Sequence, residues 1–323
     1  MANSPGVKTV SPADRIIAVL SKPNVRLKFK DLAVKAKINP AELSKFLIAA
    51  REIRPDLTYG KFDRTYWLTN TPTWYSNSTD LSGVLNSDGE IGVVSDTHLA
   101  SVADRLDLLN EAYDIFRERG IEHVFHIGDL TDGWKEYQGH INFVKCHGNQ
   151  EQALYAIEKY PRRAGIKTIV IGGNHDDSYK ESKVDRLSLV TKGFHHQGSD
   201  VSGRADIQYV GQYSHYIIFP QEIRMHMLHP RGNQAYSFSY KQQKRAAAFS
   251  KNDRPDIQLS GHFHTYCHII PDGTHMIAAP GMQDETELSK RMGLPKDLGF
   301  MVIQYTIRKG QIVAFAPLVF MRG

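Results

Sequence analysis

The chain is poor in cysteine. Cys146 and Cys267 are its only two thiols in 323 residues. Two thiols cannot form a disulfide framework, so a small extracellular disulfide scaffold is excluded. Long apolar runs are also missing. No stretch approaches the roughly 20 apolar residues that a membrane-spanning helix needs. The opening MANSPGVKTV lacks the apolar core of a secretion signal. Internal repeats and low-complexity tracts are absent too. With a mean hydropathy of −0.40, the expectation is a soluble protein of the cytoplasm with no membrane partner.

Charge is present but unevenly placed. The formal net charge is +5. Residues 1–70 hold 13 basic and 6 acidic side chains, a net +7, so the rest of the chain carries −2. A basic segment on a near-neutral body suits a polyanion such as DNA.

The order of elements sharpens that reading. Ser11-Pro12-Ala13-Asp14 is a helix start, with a Ser cap and Pro at the first position. That helix should reach about Leu20. A short extended piece, VRLKF, comes next, then a helix over Lys30–Lys37. Asn39-Pro40-Ala41-Glu42 opens a third helix, with Leu43, Phe46, Leu47 and Ala50 on one face. LTYGKFDRTYWLT reads as two strands around Gly60. Helix, strand, helix, helix, hairpin is the order of a winged helix, whose third helix enters the major groove. Lys45, Arg51, Lys61 and Arg64 are then the candidate DNA contacts. A protein-docking or purely structural module has the same topology and stays open. The expected organisation is a winged-helix-like domain at 1–70, a Ser/Thr/Asn-rich linker at 71–88 and a catalytic domain at 89–323.

From Glu90 the pattern is strand, helix, strand. IGVVSD is a buried strand, and Ser101–Arg119 should be helical up to Gly120. HVFHIGD and KTIVIGG are the next strands, with a helix near Gln152–Lys159 between them. Later segments are richer in β-structure. They end in the pair GFMVIQYTI and QIVAFAPLVF, and a helix over Ser239–Ser250 interrupts them. A parallel first half and an antiparallel second half predict an α/β fold of two packed mixed sheets flanked by helices.

The strand ends carry the chemistry. The first delivers Asp96 and His98, the second Asp129, and the third Asn174, His175 and Asp176. MHML leads to His229, and DIQLSG leads to His262 and His264. Ligands gather at the carboxyl ends of strands in such sheets. Carboxylates, an amide and imidazoles suit Mn²⁺, Fe²⁺ or Zn²⁺, and the lack of Cys ligands argues against structural zinc.

The ordered set D-x-H, GD, GNHD, H and GHxH resembles the calcineurin-like metallophosphoesterase superfamily over residues 90–280. The resemblance implies two divalent ions, Mn preferred, with Fe, Zn, Ni or Mg as alternatives. It assigns Asp96, His98 and His264 to one ion and Asn174, His229 and His262 to the other, with Asp129 bridging. It makes His175 the acid that protonates the leaving oxygen, and Asp176 the carboxylate that hydrogen-bonds His175. SDTHL is similar to the first block of break-repair nucleases, and GDLTDGW with IGGNHDD to phage-type members. His229 is followed by Pro230 rather than Gly, a departure from many relatives, which makes His226 the fallback ligand. Arg231 is a candidate phosphate clamp. His126, His140, His147, His195 and His196 read as core or surface histidines. The expected activity is a metal-dependent phosphodiesterase acting on DNA. A phosphomonoesterase or cyclic-nucleotide phosphodiesterase, and a DNA-binding scaffold with a degenerate site, are the alternatives.

Overall fold

The computed structural model describes residues 11–22, 25–53, 57–59, 64–68, 77–178, 185–232, 235, 237–249 and 254–322. The chain divides into two compact units. Met1–Ser76 with residues 250–253 form one, and Asn77–Phe249 with Arg254–Gly323 form the other.

The first unit runs α1 (Pro12–Leu20), β1 (Leu27–Lys28), α2 (Phe29–Lys35), α3 (Pro40–Ile53), β2 (Leu57–Tyr59) and β3 (Thr65–Leu68). The Ser11 hydroxyl caps α1 by accepting the Asp14 N–H at 3.1 Å. Asn39 caps α3 in the same way, through the Ala41 N–H at 3.1 Å. The three strands form one antiparallel sheet in the order β1-β3-β2. Ile16, Leu20, Leu32, Leu43, Leu47 and Leu57 fill a small core beneath it.

The second unit has two six-stranded sheets. Its elements begin with β4 (Ser78–Asp80), β5 (Asp88–Val94), α4 (Leu106–Glu118), β6 (His123–Ile127), α5 (Asn149–Lys159), β7 (Lys167–Gly172) and α6 (Arg186–Lys192). Then come β8 (Gly193–His196), β9 (Ser199–Ser202), β10 (Ile207–Gln212), β11 (Ser214–Ile218), β12 (Arg224–Leu228) and α7 (Tyr240–Ala248). The unit closes with β13 (Ile257–Ser260), β14 (Cys267–Ile269), β15 (His275–Ala278), α8 (Glu287–Met292), β16 (Leu298–Arg308) and β17 (Gln311–Arg322). One sheet is ordered β10-β7-β6-β5-β16-β17 and the other β14-β15-β13-β12-β11-β4.

Strands β10, β7, β6 and β5 run parallel, and the β16–β17 hairpin joins them antiparallel. The second sheet is mixed, with β12, β13 and β15 parallel. It is therefore not the antiparallel second half expected from sequence, because α7 provides a crossover between β12 and β13. The two sheets face each other across a core that includes Val93, Phe125, Ile171, Met225, Leu259 and Ile303. A second core lies under α4, α5 and α6, around Leu109, Tyr113, Phe116, Ala153 and Leu187.

Two expectations need correction. The supposed linker at 71–88 contains β4, which pairs in parallel with β11 at Tyr216–Ile218. Thr79 bonds the His215 ring there at 2.9 Å, and the Asn77 side chain donates to Ser214 O at 2.6 Å. Polar composition concealed an edge strand. Helix α4 starts at Leu106, not Ser101, because Ser101–Asp104 is a turn closed by the Asp104 N–H on Ser101 O at 3.3 Å and pinned by bridges to other loops. Ser101 bridges Val144, Asp104 bridges Gln283, and the Val102 N–H bonds Phe143 O at 2.9 Å.

Candidate metal centre

The site forms where five strands end. Asp96 and His98 follow β5, Asp129 follows β6, and Asn174, His175 and Asp176 follow β7. His229 follows β12, while His262 and His264 follow β13. Both sheets thus aim their carboxyl ends at one point. The turn after each strand must be sharp. Asp96, His98, Asp129, His262 and His264 all adopt positive φ, between 43° and 78°. Only a few per cent of non-glycine residues do so, with Asp and His among the more tolerant. Two glycines make way for the ligands. A Cβ on Gly128 would lie 2.3 Å from His229 Nδ1, and one on Gly173 would lie 2.1 Å from Asp129 Oδ1.

Asp96, His98 and His264 converge into one cluster, and Asp129, His229 and His262 into a second. In the first, His98 Nε2 lies 3.2 Å from His264 Nε2, and His264 Nε2 lies 3.4 Å from Asp96 Oδ1. In the second, His229 Nε2 lies 3.1 Å from Asp129 Oδ2 and 3.2 Å from Asn174 Oδ1. Asp129 Oδ2 is also 3.8 Å from His98 Nε2, so its carboxylate touches both clusters.

The hydrogen bonds behind the rings show what these atoms need. His229 Nδ1 donates to Ile127 O at 2.8 Å, which leaves a lone pair on Nε2. That lone pair faces two oxygen acceptors. His98 Nδ1 is held by Asp132 Oδ1 at 2.9 Å, which leaves its Nε2 lone pair toward His264. Acceptors facing acceptors in a buried place require a cation between them. Without a metal, a proton occupies the His229 lone pair. Burial pushes the His229 pKa down, but the Asp129 and Asp96 carboxylates override this and raise it to about 9. Burial also opposes charge on Asp96 and Asp129, yet the surrounding histidines hold both well below the ordinary carboxylate range. The donor set therefore fits two borderline divalent ions.

His175 stands beside this centre. Its ring meets His98 edge-on at 4.4 Å. Its Nδ1 lies 2.5 Å from the carbonyl oxygen of Asp132, so Nε2 is the nitrogen free to meet a ligand. Burial lowers its pKa, but Asp129 and Asp132 raise it overall above the ordinary histidine value.

Asp176 does something other than expected. It does not hold the His175 ring. Its carboxylate accepts the N–H groups of Leu130 (3.1 Å), Thr131 (2.9 Å) and Gly173 (2.9 Å), and the Thr131 hydroxyl at 2.8 Å. It therefore clamps the loop after β6 to the loop after β7. Burial, helped by Asp129, raises its pKa to about 6. The group at the His175 ring is Asp132, through its carbonyl.

Asp132 and His140 were not singled out from sequence. The Asp132 carboxylate reaches His98 at 2.9 Å, His140 Nε2 at 3.1 Å and Gln283 Nε2 at 3.3 Å. His140 is fully buried and stacks on Tyr137 at 4.4 Å, which fits the core alternative of the sequence reading. Arg186 was missed as well. This buried arginine donates to Thr131 Oγ1 at 2.9 Å, His175 O at 3.1 Å and Asn149 Oδ1 at 3.0 Å. The signal for Asp132 was present in GDLTD, three residues beyond Asp129.

The remaining candidates separate. His226 stacks on Tyr216 at 4.3 Å and bonds Ser214 Oγ at 2.9 Å, away from the clusters, so His229 needs no substitute. Arg231 pairs with Asp177 at 3.0 Å and lies over the Tyr213 ring at 4.5 Å; it does not line the cleft at the metal centre. Lys45 and Arg64 are exposed in the first unit, and Arg51 lies on α3. Lys61 lies outside the described residues. Among the described residues, no helix is long and apolar enough to cross a membrane.

Comparison with known proteins places this geometry. A model of the calcineurin-like phosphoesterase superfamily domain matches residues 90–294. A phosphodiesterase of Methanocaldococcus jannaschii is 24% identical over 130 residues, which is 39% of this chain and 72% of that protein. Among solved structures, an archaeal phosphodiesterase matches at 15% identity and a TM-score of 0.40, over 72% of this chain and all of that one. A phosphoesterase from E. coli matches at 14% identity and a TM-score of 0.35, over 71% and 98% of the two chains.

Proposed function

The chain belongs to the calcineurin-like phosphoesterase superfamily, and from this premise of a metal-dependent phosphoesterase we propose that it hydrolyses phosphodiester bonds in DNA. The observation that carries the chemistry is the pair of clusters sharing Asp129. Asp96, His98 and His264 would hold one ion, and Asn174, His229 and His262 the other. Manganese is the metal that the family resemblance favours, with Fe, Zn, Ni or Mg as alternatives that the imidazole-rich donor set also accepts. When bound, such a pair neutralises phosphate charge and lowers the pKa of water.

The protein does the rest. His175 presents Nε2 to the phosphate, because Nδ1 is occupied by the Asp132 carbonyl. Its raised pKa keeps a proton available for the leaving oxygen. Arg186 fixes the carbonyl of His175, and Asp129 Oδ1 accepts its N–H at 2.8 Å, so the backbone that carries the acid is held at both ends. Asp176 keeps the two strand-end loops in register.

DNA as substrate rests on the first unit. Its helix, strand, helix, helix, hairpin order and its basic charge support a winged-helix DNA-binding domain, with Lys45, Arg51, Lys61 and Arg64 toward phosphates. We read the chain as a cytoplasmic nuclease resembling the phage-type members, on the blocks GDLTDGW and GGNHDD. A second reading has one observation in its favour. Val34 on α2 and Ile48 on α3 expose apolar side chains, at 75% and 65%, as a protein-docking face does. In that case the enzyme would act on a small phosphoester.

A substrate panel with the Mn²⁺-loaded chain decides. The nuclease reading expects turnover of bis-p-nitrophenyl phosphate and of single-stranded or duplex DNA, well above that of p-nitrophenyl phosphate. Monoester turnover alone, with DNA untouched, would select the second reading.

A further inference from the structure

One wall of the catalytic cleft has a role that phosphate chemistry does not use. The cleft has a volume of about 380 Å³. Its lining includes Asp129, Asn174 and His175 of the metal centre, with Glu136, Gln283 and Ser289. It also includes Phe263, Leu288, Met292, Leu294 and Pro295, joined by Lys296. Met292 and Leu294 leave 60% and 40% of their surface exposed while lining the same cleft as the metal centre. Apolar side chains left open in a polar cleft imply a ligand with an apolar part that covers them.

This wall is tied to the metal centre. Helix α8 is fixed at its start by a capping box between Thr286 and Ser289. The chain then turns at Gly293 and returns to the loop carrying His264. The Asp297 N–H donates to His264 O at 2.6 Å, and Asp297 Oδ2 accepts the Tyr266 N–H at 2.7 Å. The Thr265 hydroxyl bonds Pro295 O at 3.3 Å. The apolar wall therefore keeps a fixed distance from a ligand of the first ion.

We propose that Phe263, Met292 and Leu294 form a subsite for a flat aromatic group, a nucleobase, carried on one arm of a phosphodiester bound at the metal centre. This rests on the phosphodiesterase reading above. The chemistry of the wall selects the occupant. An aromatic ring and a thioether favour a planar π-face over a flexible chain. Stacking of this kind tolerates any base, as an enzyme reading a nucleic-acid backbone requires. The volume admits a nucleotide, since pockets for small organic ligands begin near 300 Å³.

The test uses the Mn²⁺-loaded full chain and two diesters with the same leaving group. One is the p-nitrophenyl ester of thymidine 5′-monophosphate; the other is methyl p-nitrophenyl phosphate. The subsite predicts that kcat/KM favours the thymidine ester by about tenfold or more, the discrimination an apolar pocket gives. In the double variant Met292→Ser/Leu294→Ser that ratio falls close to one, through KM. Both side chains are exposed, so circular dichroism should stay unchanged. In parallel, calorimetric titration should show thymidine 5′-monophosphate binding tighter than methyl phosphate, and the double variant should erase the difference. If the two diesters are hydrolysed equally, or the preference survives the double variant, the subsite is overturned while the phosphodiesterase reading stands. If neither diester is hydrolysed, the phosphodiesterase reading falls. The titration then still judges the wall, and equal binding of the two phosphates overturns it.

Discussion

Asp129 Oδ1 accepts the backbone N–H of His175 at 2.8 Å, while Oδ2 of the same carboxylate lies 3.1 Å from His229. One side chain therefore joins the metal centre to the residue that would deliver the proton. The first expectation follows. After Mn²⁺ loading and desalting, elemental analysis should find about two ions per chain. Asp129→Asn should lose both, because each cluster loses its shared oxygen. Full occupancy in that variant would show that Asp129 bridges nothing.

His175→Asn should lower turnover of a DNA diester by about 10²–10⁴-fold, the usual worth of a general acid. Metal content should stay near wild type if the ring serves as the acid; because it also lies within donor reach of His98 and Asp129, elemental analysis of the variant checks that assignment. The loss should shrink for nitrophenyl esters, whose leaving group needs little protonation. A uniform loss across leaving groups would mean that His175 positions the phosphate and donates no proton.

Asp132→Ala removes the partner of His98 and His140 together. The expected result is metal affinity weakened by about 10–100-fold, the common effect of losing a carboxylate behind a ligating histidine. Competition with a fluorescent chelator measures it. His140→Ala should give a smaller loss, because Asp132 keeps its bond to His98. Equal losses in the two variants would contradict the arrangement seen here.

His226 titrates far from the centre. Burial lowers its pKa from 6.5 to about 4. The unfolded chain therefore takes up a proton below pH 6.5 that the folded chain refuses. The stability from this histidine is full above pH 6.5 and is lost as pH falls toward 4. It is worth on the order of 3 kcal/mol by linkage. The urea midpoint of the metal-free protein should fall across that window, and His226→Gln should flatten the fall. An identical slope in the variant would place the acid sensitivity elsewhere.

The first unit should bind DNA mainly through phosphates. Affinity should drop steeply between 50 and 200 mM salt. Changing Lys45, Arg51, Lys61 and Arg64 to Ala should weaken DNA cleavage at low enzyme concentration and spare hydrolysis of bis-p-nitrophenyl phosphate. A filter-binding titration showing unchanged affinity in that variant would turn the unit into a protein-docking module.

Much of the site was legible in the sequence because its parts are local. Each ligand block follows an apolar run, so Asp96, Asp129, Asn174, His229 and His262 could be placed at strand ends by counting. What was not legible depends on distant contacts. His140 looked like a loop histidine because nothing nearby shows that it folds back onto Asp132. Arg186 belongs to α6 yet acts on Thr131, 55 residues earlier. Strand β4 is three polar residues whose pairing partner lies beyond residue 210. Asp176 was assigned to the adjacent imidazole, but three neighbouring amides and the Thr131 hydroxyl offered it four hydrogen bonds. A buried carboxylate takes the most donors it can reach.

The five left-handed ligand residues have a consequence outside catalysis. Each holds a backbone shape that an ordinary side chain resists by about 1–2 kcal/mol. Asp96, His98 and Asp129 among them are packed together out of water. Without metal, the chain meets those costs alone. With metal, the binding energy offsets them, and the folded population rises by mass action. Added Mn²⁺ should therefore raise the urea midpoint of the chain above that of the metal-free protein. Starvation for the ion should show first as faster proteolysis, before any change in the turnover of the molecules that remain.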